Sequence, residues 1–248
     1  MSPNAQATFP GAADRGFADA SVLPYLRRVY ALFTGGVGFA IAGALVALYA
    51  GTPAAGPTGA VVPPIVAFGM AHWIVMMVVF FGAAMGAQAA RRIPGLNVAV
   101  LFGFTFVAGL FIAPSLFFAQ YAASQGGTLD ASPVRDAFLL SGAAFVGLTT
   151  YVLVTRKDFS FLGAGLSMGL WVVLGALILG MFLQSAVLQL AVASVGVLLF
   201  CGYVLYDTSR LLQERDGERD AVGAALRLFL DIMNLFLFLL RILSARTR

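Results

Sequence analysis

Residues 96–122 read LNVAVLFGFTFVAGLFIAPSLFFAQYA, 27 positions without a charged side chain. At 1.5 Å per residue a helix over this run covers about 40 Å, more than a hydrocarbon core of about 30 Å. Apolar residues do not alternate at period two, as a strand of a membrane barrel requires. A helix also satisfies its own backbone polar groups in lipid, which a lone strand cannot do. Six runs of the same kind surround it, at about Val29–Ala50, Val61–Ala89, Ala137–Val154, Phe161–Phe182, Ala186–Tyr206 and Ala221–Leu243. The pattern predicts an all-α membrane protein with seven transmembrane helices. Residues 25–248 form a single transmembrane domain behind a polar tail at 1–24.

Composition excludes the main alternatives. Of 248 residues 60% are hydrophobic and only 10% charged, against about 25% charged in an average soluble domain. Mean hydropathy is +0.94. A soluble enzyme, a secreted disulfide scaffold and a disordered chain are all excluded on these grounds. The single cysteine, Cys201, forms no internal disulfide or Cys-based metal site, and the single histidine, His72, forms no zinc cluster. No resident cofactor is expected. A Ser–His or HExxH arrangement is missing from the sequence, so an enzyme is not expected either.

The net charge of +4 could suggest a nucleic-acid partner, but the basic residues sit dispersed at segment ends. That is the pattern of topology signals in contact with a bilayer, not of a phosphate-binding stripe. With the N-terminus cytoplasmic, eleven of the fifteen basic residues fall on the inside, and Arg135, Arg241, Arg246 and Arg248 fall outside. The positive-inside rule favours that orientation, in a cytoplasmic membrane of bacterial type. Residues 1–24 lack the continuous apolar core of a signal peptide. Small residues at Gly36, Ala40 and Ala44, and at Gly165 and Gly169, predict close helix approach. Pro114 is expected to kink the third span.

Ionisable groups are nearly missing from the first five spans, but the last two carry them. The sixth ends in Tyr206-Asp207-Thr208-Ser209-Arg210, and the seventh contains Arg227, Asp231, Asn234 and Arg241. A carboxylate in the membrane is costly and normally faces a protein interior or a water cavity. The midpoint of 207 and 231 is residue 219, inside the charged connector 214–220. A helical hairpin folded there puts Asp207 and Asp231 at similar heights, and helix rotation decides whether they face each other. Arg227, Asp231, Asn234, Phe238 and Arg241 follow steps of four and three, so they share one helix face.

Two readings of these charges stand. In one, Asp231 pairs with Arg227 a turn away and Asp207 pairs with Arg210. In the other, the two aspartates share a proton and respond to pH, or offer hard oxygen ligands to a cation such as Ca²⁺. His72, in the second span, reads as hydrogen-bonded packing, with a secondary pH-responsive role as the alternative.

Several stretches resemble the Bax inhibitor-1 family, which includes bacterial YccA-like members. They are Tyr206-Asp207-Thr208, the run Ala225–Phe236 with Asp231 and Asn234, Leu239-Leu240-Arg241, Lys157–Phe161, Ser194–Val197 and Arg27–Tyr30. The resemblance implies a seven-helix bundle with the last helix central, and a pH-sensitive calcium leak in which Asp207 and Asp231 are the paired sensor. It also implies an Arg at the cytoplasmic end of the second helix that latches onto the sixth-helix aspartate. Arg91 fits that place best, with Arg92 its neighbour. The second span lacks an acidic residue, a departure from the family pattern. Some members regulate membrane proteolysis or stress survival, so a non-conducting regulator that binds a membrane protease is the alternative to a channel.

Overall fold

The computed structural model describes residues 22–55, 61–91, 93–125, 132–214 and 220–246. In chain order the elements are α1 Val22–Tyr49, β1 Ala54–Ala55, β2 Val61–Val62, α2 Pro64–Ala71, α3 Trp73–Ala90, α4 Leu96–Gln125, α5 Pro133–Thr155, α6 Leu162–Leu183, α7 Ala186–Gln213 and α8 Ala221–Arg246. Every helix except α2 is long and apolar enough to cross a membrane, giving seven candidate spans. Helix α1 is already formed at Val22, inside the stretch expected to be tail; residues 1–21, Arg92 and the expected hairpin midpoint at 219 lie outside the described residues.

The second span differs from its expectation. It is two helices, because His72 leaves helical geometry at φ −122° and ψ 44° while its N–H still reaches the Phe68 carbonyl. The 18 residues of α3 alone supply about 27 Å, enough to cross the core with little to spare. The Gly- and Pro-rich stretch before it holds a short antiparallel pairing of Ala54 with Val62 and Ala55 with Val61. Pro114 lies inside α4 without ending it.

Local chemistry explains the helix ends. Ser132 Oγ accepts the Arg135 N–H at the start of α5, and Ser185 Oγ accepts the Leu188 N–H at the start of α7, both at 3.3 Å. Arg156 and Gln184 close α5 and α6 in the left-handed conformation, at φ 51° and 48°.

Helix α1 packs along α4, and α8 packs against α7, α5, α1 and α4. The α1–α4 contact is close because each helix places a glycine against the other's backbone. A Cβ on Gly43 would collide with the Phe106 carbonyl oxygen, and one on Gly109 with the Ala40 carbonyl oxygen. Gly169 similarly admits Leu199 of α7, whereas Gly165 faces open space. Large side chains such as Trp171 and Phe182 of α6 remain exposed on the outside of the bundle. In water that surface would aggregate; in a bilayer it is the lipid-facing side.

Candidate functional site

The two carboxylates meet. Asp207 stands six residues before the end of α7 and Asp231 ten residues after the start of α8, about 9 Å and 15 Å along their helices. The α7–α8 hairpin brings them together as close neighbours, each 5% exposed. Two carboxyl groups this close in a low-dielectric interior cannot both ionise cheaply and tend to share one proton. Among the described residues Asp231 Oδ2 is buried without a hydrogen-bond partner.

Arg227 is the cation of this site. Its Nε lies 3.3 Å from Asp207 Oδ1, and its Nη2 donates to Glu214 Oε1 at 3.0 Å. The guanidinium therefore ties Asp207 of α7 to Glu214, just past the end of that helix. Glu214 also accepts the Tyr25 hydroxyl at 2.5 Å and stands 3.6 Å from Arg210. Side chains of α1, α7 and α8 thus converge on one charged cluster. The local pairing expected from spacing is rearranged: Arg227 faces Asp207 instead of Asp231, and Arg210 faces Glu214 instead of Asp207.

The structure places Arg91 elsewhere than the expected latch. Arg91 caps α3 and lies 3.9 Å from Asp220, beside the start of α8. Asp207 is held about 9 Å inside the end of α7, where Arg227 already occupies its Oδ1. The Arg91–Asp220 contact is about one-third exposed on both sides. Asn234 donates to the Leu230 carbonyl of its own helix at 2.7 Å, so its amide is spent locally. His72 precedes α3 and Arg91 follows it, so His72 sits about 28 Å from Arg91 along the helix, its ring tilted against Phe68. It is not part of the cluster.

A calcium ion takes six to eight oxygen ligands. Two carboxylates with a guanidinium against one of them do not supply that, and among the described residues no group of three or more His, Cys, Asp or Glu is arranged to hold a metal. The pair does not fit a resident Ca²⁺ site; Arg227 stands where a cation would.

Next to the pair lies a set of hydroxyls that spacing gave no reason to expect. The Tyr30 hydroxyl of α1 lies near those of Thr149 on α5 and Thr208 on α7. None of the three completes a well-formed hydrogen bond within the protein, although Thr208 is fully buried. Such groups in a low-dielectric interior call for water or a polar ligand. Tyr203 faces Ser167 of α6 and lies close to both aspartates. At the nearby bundle end the 156–161 loop is anchored to α7: the Phe159 N–H reaches Ser209 Oγ at 3.3 Å. Asp158 Oδ1 accepts the Ser160 N–H at 2.7 Å, which with Gln213 holds its carboxyl below the usual carboxylate range.

Comparison with known proteins places this site in context. Residues 22–248 match the family model described as "Inhibitor of apoptosis-promoting Bax1". The chain is 38% identical over 174 residues to Protein lifeguard 4 of Mus musculus, covering 68% of each chain. It is 32% identical over 221 residues to an uncharacterized protein of Campylobacter jejuni, covering 89% of this chain and 88% of that one. The Golgi anti-apoptotic protein of Vaccinia virus (strain Lister) is 39% identical over 153 residues, 62% of this chain. The match spans 60% of the viral protein's length.

Proposed function

The chain belongs to the Bax inhibitor-1 family, and we propose that it is a pH-sensitive passive leak for calcium or a similar cation in the cytoplasmic membrane. The observation that carries this reading is the buried Asp207–Asp231 pair with Arg227 beside it. The pair holds one proton and one negative charge, and Arg227 neutralises that charge. A second proton removes the charge and releases Arg227 towards Glu214; loss of the first leaves two charges facing one guanidinium. Either change alters the force between α7 and α8, the elements on which α1 and α5 also pack. Arg227 takes the counter-ion role in this scheme. The N-terminus is cytoplasmic, which puts the charged cluster on the cytoplasmic side, and Ca²⁺ is cargo. The reading is non-enzymatic.

A second reading rests on the printed name of the viral relative, an anti-apoptotic protein. In it the chain conducts nothing and regulates a membrane protease or a stress-response partner. Calcium flux into sealed vesicles containing the purified protein separates the two. A leak above that of empty vesicles, changing between about pH 6 and 8, supports the channel. No flux above empty vesicles at any pH refutes it and leaves the regulator.

A further inference from the structure

A groove of about 1240 Å³ runs between α1 and α5, with α4 and α8 completing its wall. It belongs neither to the carboxylate pair nor to the charged cluster. Its rim is open sideways: Ile41, Leu45, Phe138 and Val146 are all exposed. Near one end Phe33 and Phe145 stack across α1 and α5 at 4.7 Å, and Tyr30 and Thr149 line the groove past them. The hydroxyls of Tyr30 and Thr149 lie beyond that stack, one turn nearer the aspartates. At the opposite end the lining turns polar, with Gln120, Tyr121, Ser124, Ser132 and Arg135.

The dimensions identify the occupant. Ten residues of α5 separate Arg135 from Phe145, about 15 Å. One leaflet of a hydrocarbon core of about 30 Å is also about 15 Å deep. The wall between these ends is mostly apolar, so it cannot replace the hydration shell of a cation, and water gains few partners there. An acyl chain loses nothing by entering. The head end carries the charge an anionic lipid needs. Arg135 is 62% exposed and meets Asp136 Oδ1 through its Nε at 3.0 Å, and a planar guanidinium at the membrane surface has the charge and fork shape that phosphate matches.

We propose that this groove holds one anionic phospholipid from the leaflet on the α5 N-terminal side. Its phosphate sits at Arg135, beside the Ser132 and Ser124 hydroxyls and the Gln120 amide. One acyl chain runs inward along Met233 and Phe236 of α8 to the Phe33–Phe145 stack. The lipid then acts as a wedge between α1 and α5.

The test uses the full chain in vesicles of phosphatidylglycerol and phosphatidylcholine, with a trace of phosphatidylglycerol carrying a diazirine near the acyl terminus. After photolysis, label is expected on α1 and α8 peptides facing the groove, near Phe33 and Met233. Gly142 lines the groove and a Cβ there enters open space. Gly142→Leu therefore fills the groove while improving helix propensity, and it should cut this labelling at least about fivefold. Arg135→Gln, on an exposed side chain, should lower labelling by the phosphatidylglycerol probe relative to a phosphatidylcholine analogue by about threefold, the worth of an exposed ion pair. Label spread evenly over the lipid faces and unmoved by either variant would overturn the proposal. So would chain-to-chain crosslinks through the groove, which would assign it to a second copy.

Discussion

Replacing Arg227 with Gln tests the charged cluster at its centre. The side chain keeps polarity and most of its length but loses the cation shared by Asp207 and Glu214. An ion pair at 3.3 Å in an effective dielectric of about 20 is worth about 5 kcal/mol before desolvation is counted. Removing one partner of a buried pair costs about 3–5 kcal/mol, because the other charge is left unneutralised. Arg227 is 26% exposed, so solvent screens part of this, and the lower end, about 3 kcal/mol, is expected. For a chain of this size that corresponds to a fall in Tm of about 6–12 °C. Thermal unfolding in detergent at neutral pH reads it directly. The stricter form is a double-mutant cycle with Asp207→Asn, in which the double variant should be more stable than additivity predicts by about 1.5 kcal/mol or more. A Tm for Arg227→Gln within 1–2 °C of the parent (about 0.5 kcal/mol), or strict additivity in the cycle, would refute this account of the cluster.

Two further outcomes follow from the geometry. Arg91→Ala removes a contact of 3.9 Å that is about one-third exposed, so it should cost less than about 1 kcal/mol and leave the pH profile of flux unchanged; a loss equal to that of Arg227→Gln in the same melt would restore Arg91 as the counter-ion. Gly43→Ala forces a methyl against the Phe106 backbone and should destabilise by about 1–3 kcal/mol, whereas Gly38→Ala enters open space and should be neutral or slightly stabilising; equal melting of the two would contradict the α1–α4 packing described above.

Much of the architecture is legible in the sequence because lipid imposes it. A span must be apolar over its length, so the seven runs stand out without any knowledge of packing. The meeting of Asp207 and Asp231 follows from their equal distance to the charged connector. What spacing could not supply is helix rotation. Arg227 sits one turn from Asp231 on its own helix, yet its guanidinium points across to α7 and takes Asp207 and Glu214. Glu214 was hidden for another reason: it begins a charged connector that reads as solvated, and only the fold brings Tyr25 to it from 189 residues away. Arg91 stands at the end of its helix, where only the fold shows Asp220 rather than Asp207 within reach. The break at His72 was hidden by a continuously apolar run that contains no proline after Pro64. Likewise, Gly43 meets the Phe106 backbone and Gly109 the Ala40 backbone only because α1 and α4 are neighbours, while the evenly spaced Gly165 faces open space.

In the proposed leak, one proton shared by Asp207 and Asp231 sets the conducting state. The most direct measurement is calcium flux into vesicles across about pH 6 to 8 for the parent chain, Asp207→Asn and Asp231→Asn. Asn keeps the size of the side chain but cannot ionise, so each variant removes the sharing. The account predicts a pH-dependent leak in the parent and a flat profile in both variants, with correct insertion checked by their melting. A parent profile that both variants reproduce would contradict it.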